Sequence, residues 1–219
     1  MSQTSVDAFA KMDSMYRYQR YFYDASRKFY LLGRDRLIDQ IEIGDGDNIA
    51  EIGCGTGRNL EILARKHPNA NFYGLDASSE MLESASAKTA DLINVTLKTA
   101  LADDYDHRST FGLEQKFDSV FFSYSISMIP PWRESIGVAL ANLKPGGTLY
   151  IVDFYDQTDL PRWFRIVLKS WLRQFHVQFW GELIPFLYEL VRSGAGRLEI
   201  ESIGRRYAFI ATFRKSRKS

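Results

Sequence analysis

The chain has 219 residues, 45% of them apolar, and a formal charge of +1; one sizeable core can be buried, and so balanced a charge argues against a protein that neutralises many phosphates along a nucleic acid. A single cysteine, Cys54, excludes an internal disulfide, and with three scattered histidines it leaves no zinc-type ligand set, so metal-free chemistry is expected. The N-terminus MSQTSVDAFAKMDSM lacks the apolar stretch of a secretory signal, and no run approaches the roughly 18 apolar residues that cross a bilayer, so the expected location is the cytoplasm.

In chain order, residues 13–41 read as one or two helices crowded with tyrosine and basic side chains, ending before the turn-rich Gly44-Asp45-Gly46-Asp47. From Asn48 short apolar runs alternate with helical ones: a strand at 49–52, a helix at 58–66, a strand at 71–75, a helix at 79–89 and a strand at 95–98. A strand at 117–124, a helix at 132–143, a turn at Lys144-Pro145-Gly146-Gly147 and a strand at 148–154 follow. Such alternation predicts a parallel sheet, with ligands beyond the carboxyl ends of its strands. Residues 160–175 read as a helix, and strands at 198–203 and 207–213, split by Gly204-Arg205-Arg206, form a closing antiparallel hairpin. One domain is expected over 1–219, with a helical lid over 1–44 and an α/β core over 45–219.

The stretch Ile49-Ala50-Glu51-Ile52-Gly53-Cys54-Gly55-Thr56-Gly57-Arg58-Asn59-Leu60 runs a buried strand into a glycine turn and then a helix. Three glycines in five residues let backbone approach a ligand closely. The dinucleotide fingerprint would place its third glycine at position 58, where Arg58 stands; Gly57 takes that place instead, which argues against a pyrophosphate site. Glu51 puts an acid at the strand end, in reach of an ammonium group or a bound water, which suits an amino-acid moiety better than a phosphate. Asp76 ends the second strand about 20 residues on, where a ribose-binding carboxylate belongs. After the third strand, a backbone amide near Ala102 and the Asp103 carboxylate can meet an adenine edge, with Asp104 a near-equal candidate. Cys54, Asn59, Ala77 and Met81, flanking the glycine turn and Asp76, and Ser123 beside Tyr124 complete the candidate cofactor contacts.

With Glu51 to Gly57 matching the motif E-x-G-x-G-x-G and Asp76 as the strand-two acid, the sequence resembles the class I S-adenosylmethionine-dependent methyltransferases over roughly residues 48–154. The resemblance implies S-adenosylmethionine as cofactor. It also implies a Rossmann-like, seven-stranded, mostly parallel sheet with an antiparallel C-terminal hairpin, in a three-layer α/β/α sandwich.

Two segments bear on the acceptor. From Leu160 to His176 the basic residues Arg162, Arg165, Lys169 and Arg173 recur in steps of three, four and four, one stripe on a helix, while Trp163, Phe164, Val167, Leu168, Trp171, Leu172 and Phe175 occupy the other face. This is the pattern of a helix lying in a lipid interface, with anionic headgroups adding about 1 kcal/mol per basic residue; a core helix with solvated basic residues is the alternative. Near the N-terminus, Tyr16, Tyr18, Tyr21 and Tyr23 alternate with basic residues. They suit a lid whose rings surround a sulfonium cofactor and an ammonium product, with Tyr18, Tyr23 and Arg34 closing over the cofactor and Tyr16 and Tyr21 facing the acceptor. The alternative is a helix whose tyrosines pack on the sheet edge.

The runs Met12-Asp13-Ser14-Met15-Tyr16-Arg17-Tyr18-Gln19-Arg20, Ser123-Tyr124-Ser125-Ile126-Ser127-Met128-Ile129-Pro130 and Val152-Asp153-Phe154 are similar to those of the BtaB-type betaine-lipid N-methyltransferases of bacteria. The resemblance implies trimethylation of the amine of diacylglyceryl-homoserine by a protein held peripherally at the inner, anionic face of the cell membrane. Phosphatidylethanolamine N-methylation, methylation of a small soluble amine, and cofactor binding without catalysis by a membrane-attached protein stay open beside it. In the catalytic reading, Tyr124 orients the amine and Asp153 holds the ammonium before its proton leaves.

Overall fold

A computed structural model describes residues 31–173 and 177–217. In chain order the elements are α1 (Arg34–Gln40), β1 (Asn48–Ile52), α2 (Arg58–Lys66), β2 (Asn71–Asp76), α3 (Ser79–Lys88), β3 (Val95–Thr99) and β4 (Phe117–Ser123). A 3-10 turn (Ile126–Met128), α4 (Trp132–Asn142), β5 (Leu143–Phe154), α5 (Arg162–Arg173), α6 (Leu183–Arg192), β6 (Gly196–Ile203) and β7 (Ala208–Lys215) follow. The strands form one sheet in the order β3-β2-β1-β4-β5-β7-β6. The first five are parallel, and β7 pairs antiparallel with both β5 and β6, as expected from sequence.

Period-two alternation sends the central strands' side chains into two separate cores. Ile49, Phe72, Phe121, Tyr150 and Val152 pack with Leu37 of α1, Leu60 and Leu63 of α2, and Leu168 and Leu172 of α5. Ala50, Ile52, Val120, Phe122, Leu149 and Ile151 meet Trp132 and Ile136 of α4 and Leu183 and Leu187 of α6 on the other face. The sheet is therefore covered on both sides, and its parallel strands read as nearly continuous apolar runs.

Two elements depart from expectation. The turn expected over 144–147 lies inside β5: between the pairs Phe117↔Leu143 and Ser119↔Thr148, one residue of β4 faces four of β5, so the segment bulges and the ladder resumes beyond it. Helix α6 was not anticipated; its Pro185 falls in the first turn, where its missing N–H has no intrahelical partner to lose. Among the described residues no helix is long and apolar enough to cross a membrane.

Candidate cofactor and acceptor site

At the carboxyl end of β1 the chain turns through Gly53, Gly55 and Gly57 at φ +73, +54 and +74. Two of these positions also lack room for a side chain: a Cβ at Gly53 would lie 2.5 Å from the Ser125 Cβ, and one at Gly57 2.9 Å from the Ala85 Cβ of α3. Close helix packing therefore occurs at Gly57 even without the dinucleotide spacing. The Gly53 and Cys54 amides donate to the Leu75 carbonyl at 2.7 and 3.0 Å. Asp76 ties this turn to the next one, its Oδ2 accepting from the Gly55 amide at 2.7 Å and its Oδ1 from the Ser78 amide at 2.9 Å. A carboxylate accepts up to about four hydrogen bonds, which suits a group that meets backbone amides and a sugar diol together. Met81 is buried beyond it, its amide capped by the Ser78 Oγ at 3.3 Å, and Ala77 is half-buried between them.

Glu51 and Asn59 are both buried, and the Asn59 Nδ2 donates to the Glu51 Oε1 at 2.6 Å. Around them Leu31, Arg34, Thr56, Arg58 and Ser123 line a cleft of about 20 Å³. Arg34 is buried in its wall. The residues present fit an adenosyl amino acid: an acid with its amide partner, a glycine turn, an acid at the next strand end, and a buried Ser123 Oγ with no hydrogen-bond partner among the described residues. Cys54 contributes main chain only, since its thiol is buried in the apolar core and pushed up first by burial and then by the charges of Asp76 and Glu51. On the adenine side the Ala100 amide donates to the Asp76 carbonyl at 3.2 Å and the Asp104 amide to that of Leu101 at 3.1 Å, which holds the half-buried Ala102 and Asp103 beside β2.

The two expected catalytic residues hydrogen-bond to different partners, although the charge of Asp153 reaches the Tyr124 hydroxyl. Tyr124 follows β4 at φ +55, its amide on the Val152 carbonyl at 2.8 Å and its hydroxyl donating to the Leu32 carbonyl at 2.5 Å. Burial and then the charge of Asp153 push its hydroxyl well up. Asp153 alternates with Val152 and Phe154 along β5 and so falls on the opposite face of the strand from them, the face of Ile151. Its Oδ2 accepts from the Ser127 amide at 2.9 Å and its Oδ1 from the Phe154 amide at 2.8 Å. Buried in this way, it anchors the turn after β4. The Tyr124 ring meets instead an aromatic cluster around Phe154, at 4.9 Å, with Phe179 and Tyr207 each at 5.9 Å from Phe154.

Helix α5 closes this cluster with Leu168 and Leu172. The apolar arc is wider than the core beneath it: Trp163, Ile166 and Val167 stay 69%, 60% and 62% exposed, and Phe164 lies at the border. Arg162 is exposed with them, whereas Arg165, Lys169 and Trp171 are half-buried, the Lys169 Nζ lying 4.8 Å from the centre of the Phe179 ring. The basic residues thus flank the buried side instead of standing opposite the apolar one. The Arg173 side chain, together with Tyr16, Tyr18, Tyr21 and Tyr23, lies outside the described residues.

Sequence reading missed Ser125, whose Oγ donates to the Ile52 carbonyl at 2.7 Å and fills the space that Gly53 leaves, and Ser127, whose amide holds Asp153. A pair of polar residues flanking Ile126 just beyond a strand end was the available signal. A larger cavity, about 470 Å³, opens at the amino-terminal edge of the sheet. Its Lys144 and Arg214 are paired with Asp118 and Glu42, and it lies at the opposite end of the strands from the glycine turn.

The family described as Methyltransferase domain matches residues 50–149. Trans-aconitate 2-methyltransferase of Pseudomonas paraeruginosa is 44% identical over 136 residues, 61% of this chain and 45% of that protein. The chain spans about half the length of the curated relatives it matches. Among solved structures, the complex of the Haloferax volcanii Trm112 methyltransferase activator with a methyltransferase superposes with a TM-score of 0.73 at 16% identity, over 93% of this chain and 97% of that one. The DhpI–SAM–HEP complex superposes with 0.67 at 18% identity, over 98% and 99%. Residues 50–149 thus match the model of that family, and the seven-stranded sheet has the Rossmann-like fold of the solved methyltransferases on which it superposes.

Proposed function

We propose that this protein methylates the amine of a lipid headgroup, diacylglyceryl-homoserine first among them, with S-adenosylmethionine as donor, at an anionic membrane surface. The observation that carries the reading is the exposed arc Trp163–Ile166–Val167 on the helix whose other side, Leu168 and Leu172, packs into the aromatic cluster of Tyr124, Phe154 and Tyr207. An exposed apolar surface on a helix that packs against an aromatic cluster suits a substrate with a polar head and an apolar tail. The exposed Arg162 adds attraction to anionic headgroups, and the aromatic cluster favours a cationic product over water.

When bound, the sulfonium cofactor supplies an activated methyl group. The protein's part is binding, alignment and exclusion of water. Glu51, Asn59 and Arg34 hold the amino-acid end of the ligand, Asp76 the sugar, and the glycine turn allows backbone to approach it. Leu31 lines the cleft beside them. The acceptor amine must be neutral to attack, and burial beside a cation lowers its pKa. Holding it in line supplies several kcal/mol.

The test is lipid mass spectrometry after incubation of protein and cofactor with vesicles containing diacylglyceryl-homoserine, with phosphatidylethanolamine in a parallel arm. Gains of one, two or three methyl groups on the homoserine lipid are expected. A second reading rests on the relatives named trans-aconitate 2-methyltransferase, in which the acceptor is a soluble carboxylate. Methylation of trans-aconitate with both lipids unchanged would replace the first reading by the second.

A further inference from the structure

Three residues beyond Phe154 stands Gln157, fully buried, at φ +61. Among the described residues neither its Oε1 nor its Nε2 has a hydrogen-bond partner. Burying a carboxamide without partners is costly, and a non-glycine residue in the left-handed region adds strain. The backbone around it is fixed, not loose: the Gln157 amide donates to the Arg206 carbonyl at 2.9 Å, the Tyr155 amide to the Tyr207 carbonyl at 2.9 Å, and the Leu160 amide to the Gln157 carbonyl at 3.2 Å. The Asp156–Arg206 ion pair pins the same turn from outside. An apolar side chain of equal size would fill this position without the polar cost, so the amide is held there for something other than packing.

We infer that the Gln157 carboxamide is an acceptor-binding group that recognises an amino-acid headgroup, its Nε2 donating to the headgroup carboxylate and its Oε1 accepting from the amine. The inference rests on the lipid-amine reading above and names the feature of the headgroup that is recognised. The location suits it, because this turn leaves β5 at the carboxyl edge of the sheet, next to the Phe154 cluster, where ligands of such sheets bind. The chemistry suits it as well. A carboxamide is neutral and offers both a donor pair and an acceptor, whereas a carboxylate side chain would repel the headgroup's own carboxylate and a lysine would repel its ammonium. As methyl groups replace the amine's N–H bonds, the contact to Oε1 is lost, but the bond from Nε2 to the carboxylate persists. One residue can thus hold the same headgroup through successive transfers.

The experiment compares wild type, Gln157→Leu and Gln157→Glu. Gln157→Leu keeps size and the backbone demand, so it is expected to melt no lower than wild type and to bind S-adenosylhomocysteine unchanged. The KM for diacylglyceryl-homoserine should rise at least tenfold, while that for phosphatidylethanolamine, which has no carboxylate, changes less than threefold. Gln157→Glu should lose the homoserine lipid further and shift the preference toward phosphatidylethanolamine. Equal KM values for the homoserine lipid in wild type and Gln157→Leu would overturn the inference. If wild type methylates neither lipid, the lipid reading fails by itself, and free homoserine with S-adenosylhomocysteine then decides on Gln157: a rise in melting temperature in wild type that is absent in Gln157→Leu supports it, and no rise in wild type, or the same rise in both, overturns it.

Discussion

The Tyr124 hydroxyl donates to the Leu32 carbonyl at 2.5 Å and so joins the end of β4 to the chain entering α1. The cleft behind this contact measures about 20 Å³, far less than the several hundred Å³ of a ligand pocket. A nucleoside therefore needs a wider opening than this one, and Leu31, which lines the cleft, is the chain neighbour of the residue that Tyr124 holds.

Tyr124→Phe removes that bond and leaves the ring in place. A loss of ~1 kcal/mol is expected, seen as a melting temperature lower by roughly 2–4 °C, with S-adenosylhomocysteine associating several-fold faster in stopped-flow fluorescence. An unchanged association rate would show that the hydroxyl does not gate the cleft.

Asp76→Asn leaves one oxygen for two amide donors, since its Nδ2 cannot accept from Gly55 or Ser78. Losing a bond to a charged group costs roughly 1.5–3 kcal/mol. The two turns that form the sugar side should drift apart, so calorimetry should find S-adenosylhomocysteine bound at least tenfold more weakly. Affinity within twofold of wild type would contradict the role given to this carboxylate.

Burial raises Asp153 to about 6, against the opposing pull of the Ser127 and Phe154 amides. A carboxyl group raised above its unfolded value near 3.9 keeps its proton better in the native chain. Its contribution therefore favours the fold below about pH 4 and is lost as pH rises through 6. The effect is on the order of 3 kcal/mol. Asp153→Asn cannot ionise, so the stability of wild type relative to this variant should fall between pH 4 and 7 in urea denaturation. A difference independent of pH would mean that Asp153 is ionised throughout the range.

Trp163→Ser with Val167→Ser strips the exposed arc of α5 without touching Leu168 or Leu172. Stability should change by less than ~0.5 kcal/mol per site, while cosedimentation with anionic vesicles falls at least tenfold. Equal vesicle binding by both proteins would remove the lipid surface from the account of this helix.

Much of the scaffold was legible because strand and helix periods differ: the buried runs at 49–52 and 71–75 and the amphipathic run at 58–66 each match one period only. The cofactor side was legible for a related reason, since Glu51, the three glycines and Asp76 are local in sequence and fixed by strand ends. The acceptor side was not. Whether Tyr124 and Asp153 share a site depends on strand parity across β4 and β5, and the period-two alternation of β5 parts Asp153 from the Phe154 ring that Tyr124 meets. The helical period of 162–173 was readable, but not which part of its apolar arc the core would cover. The cost of burying Gln157 has no signature in sequence at all, because it arises only when the turns at 155–157 and 204–207 meet.

Cys54 sits inside the glycine turn, sealed by the same packing that closes the cleft. Since a thiol is alkylated only as an accessible thiolate, the folded, closed chain should resist modification, and each reaction event should report one excursion of the turn away from β2. The rate of alkylation by a small reagent is thus an intrinsic timer of site breathing that needs no introduced label. Saturating S-adenosylhomocysteine should slow that timer in proportion to its occupancy.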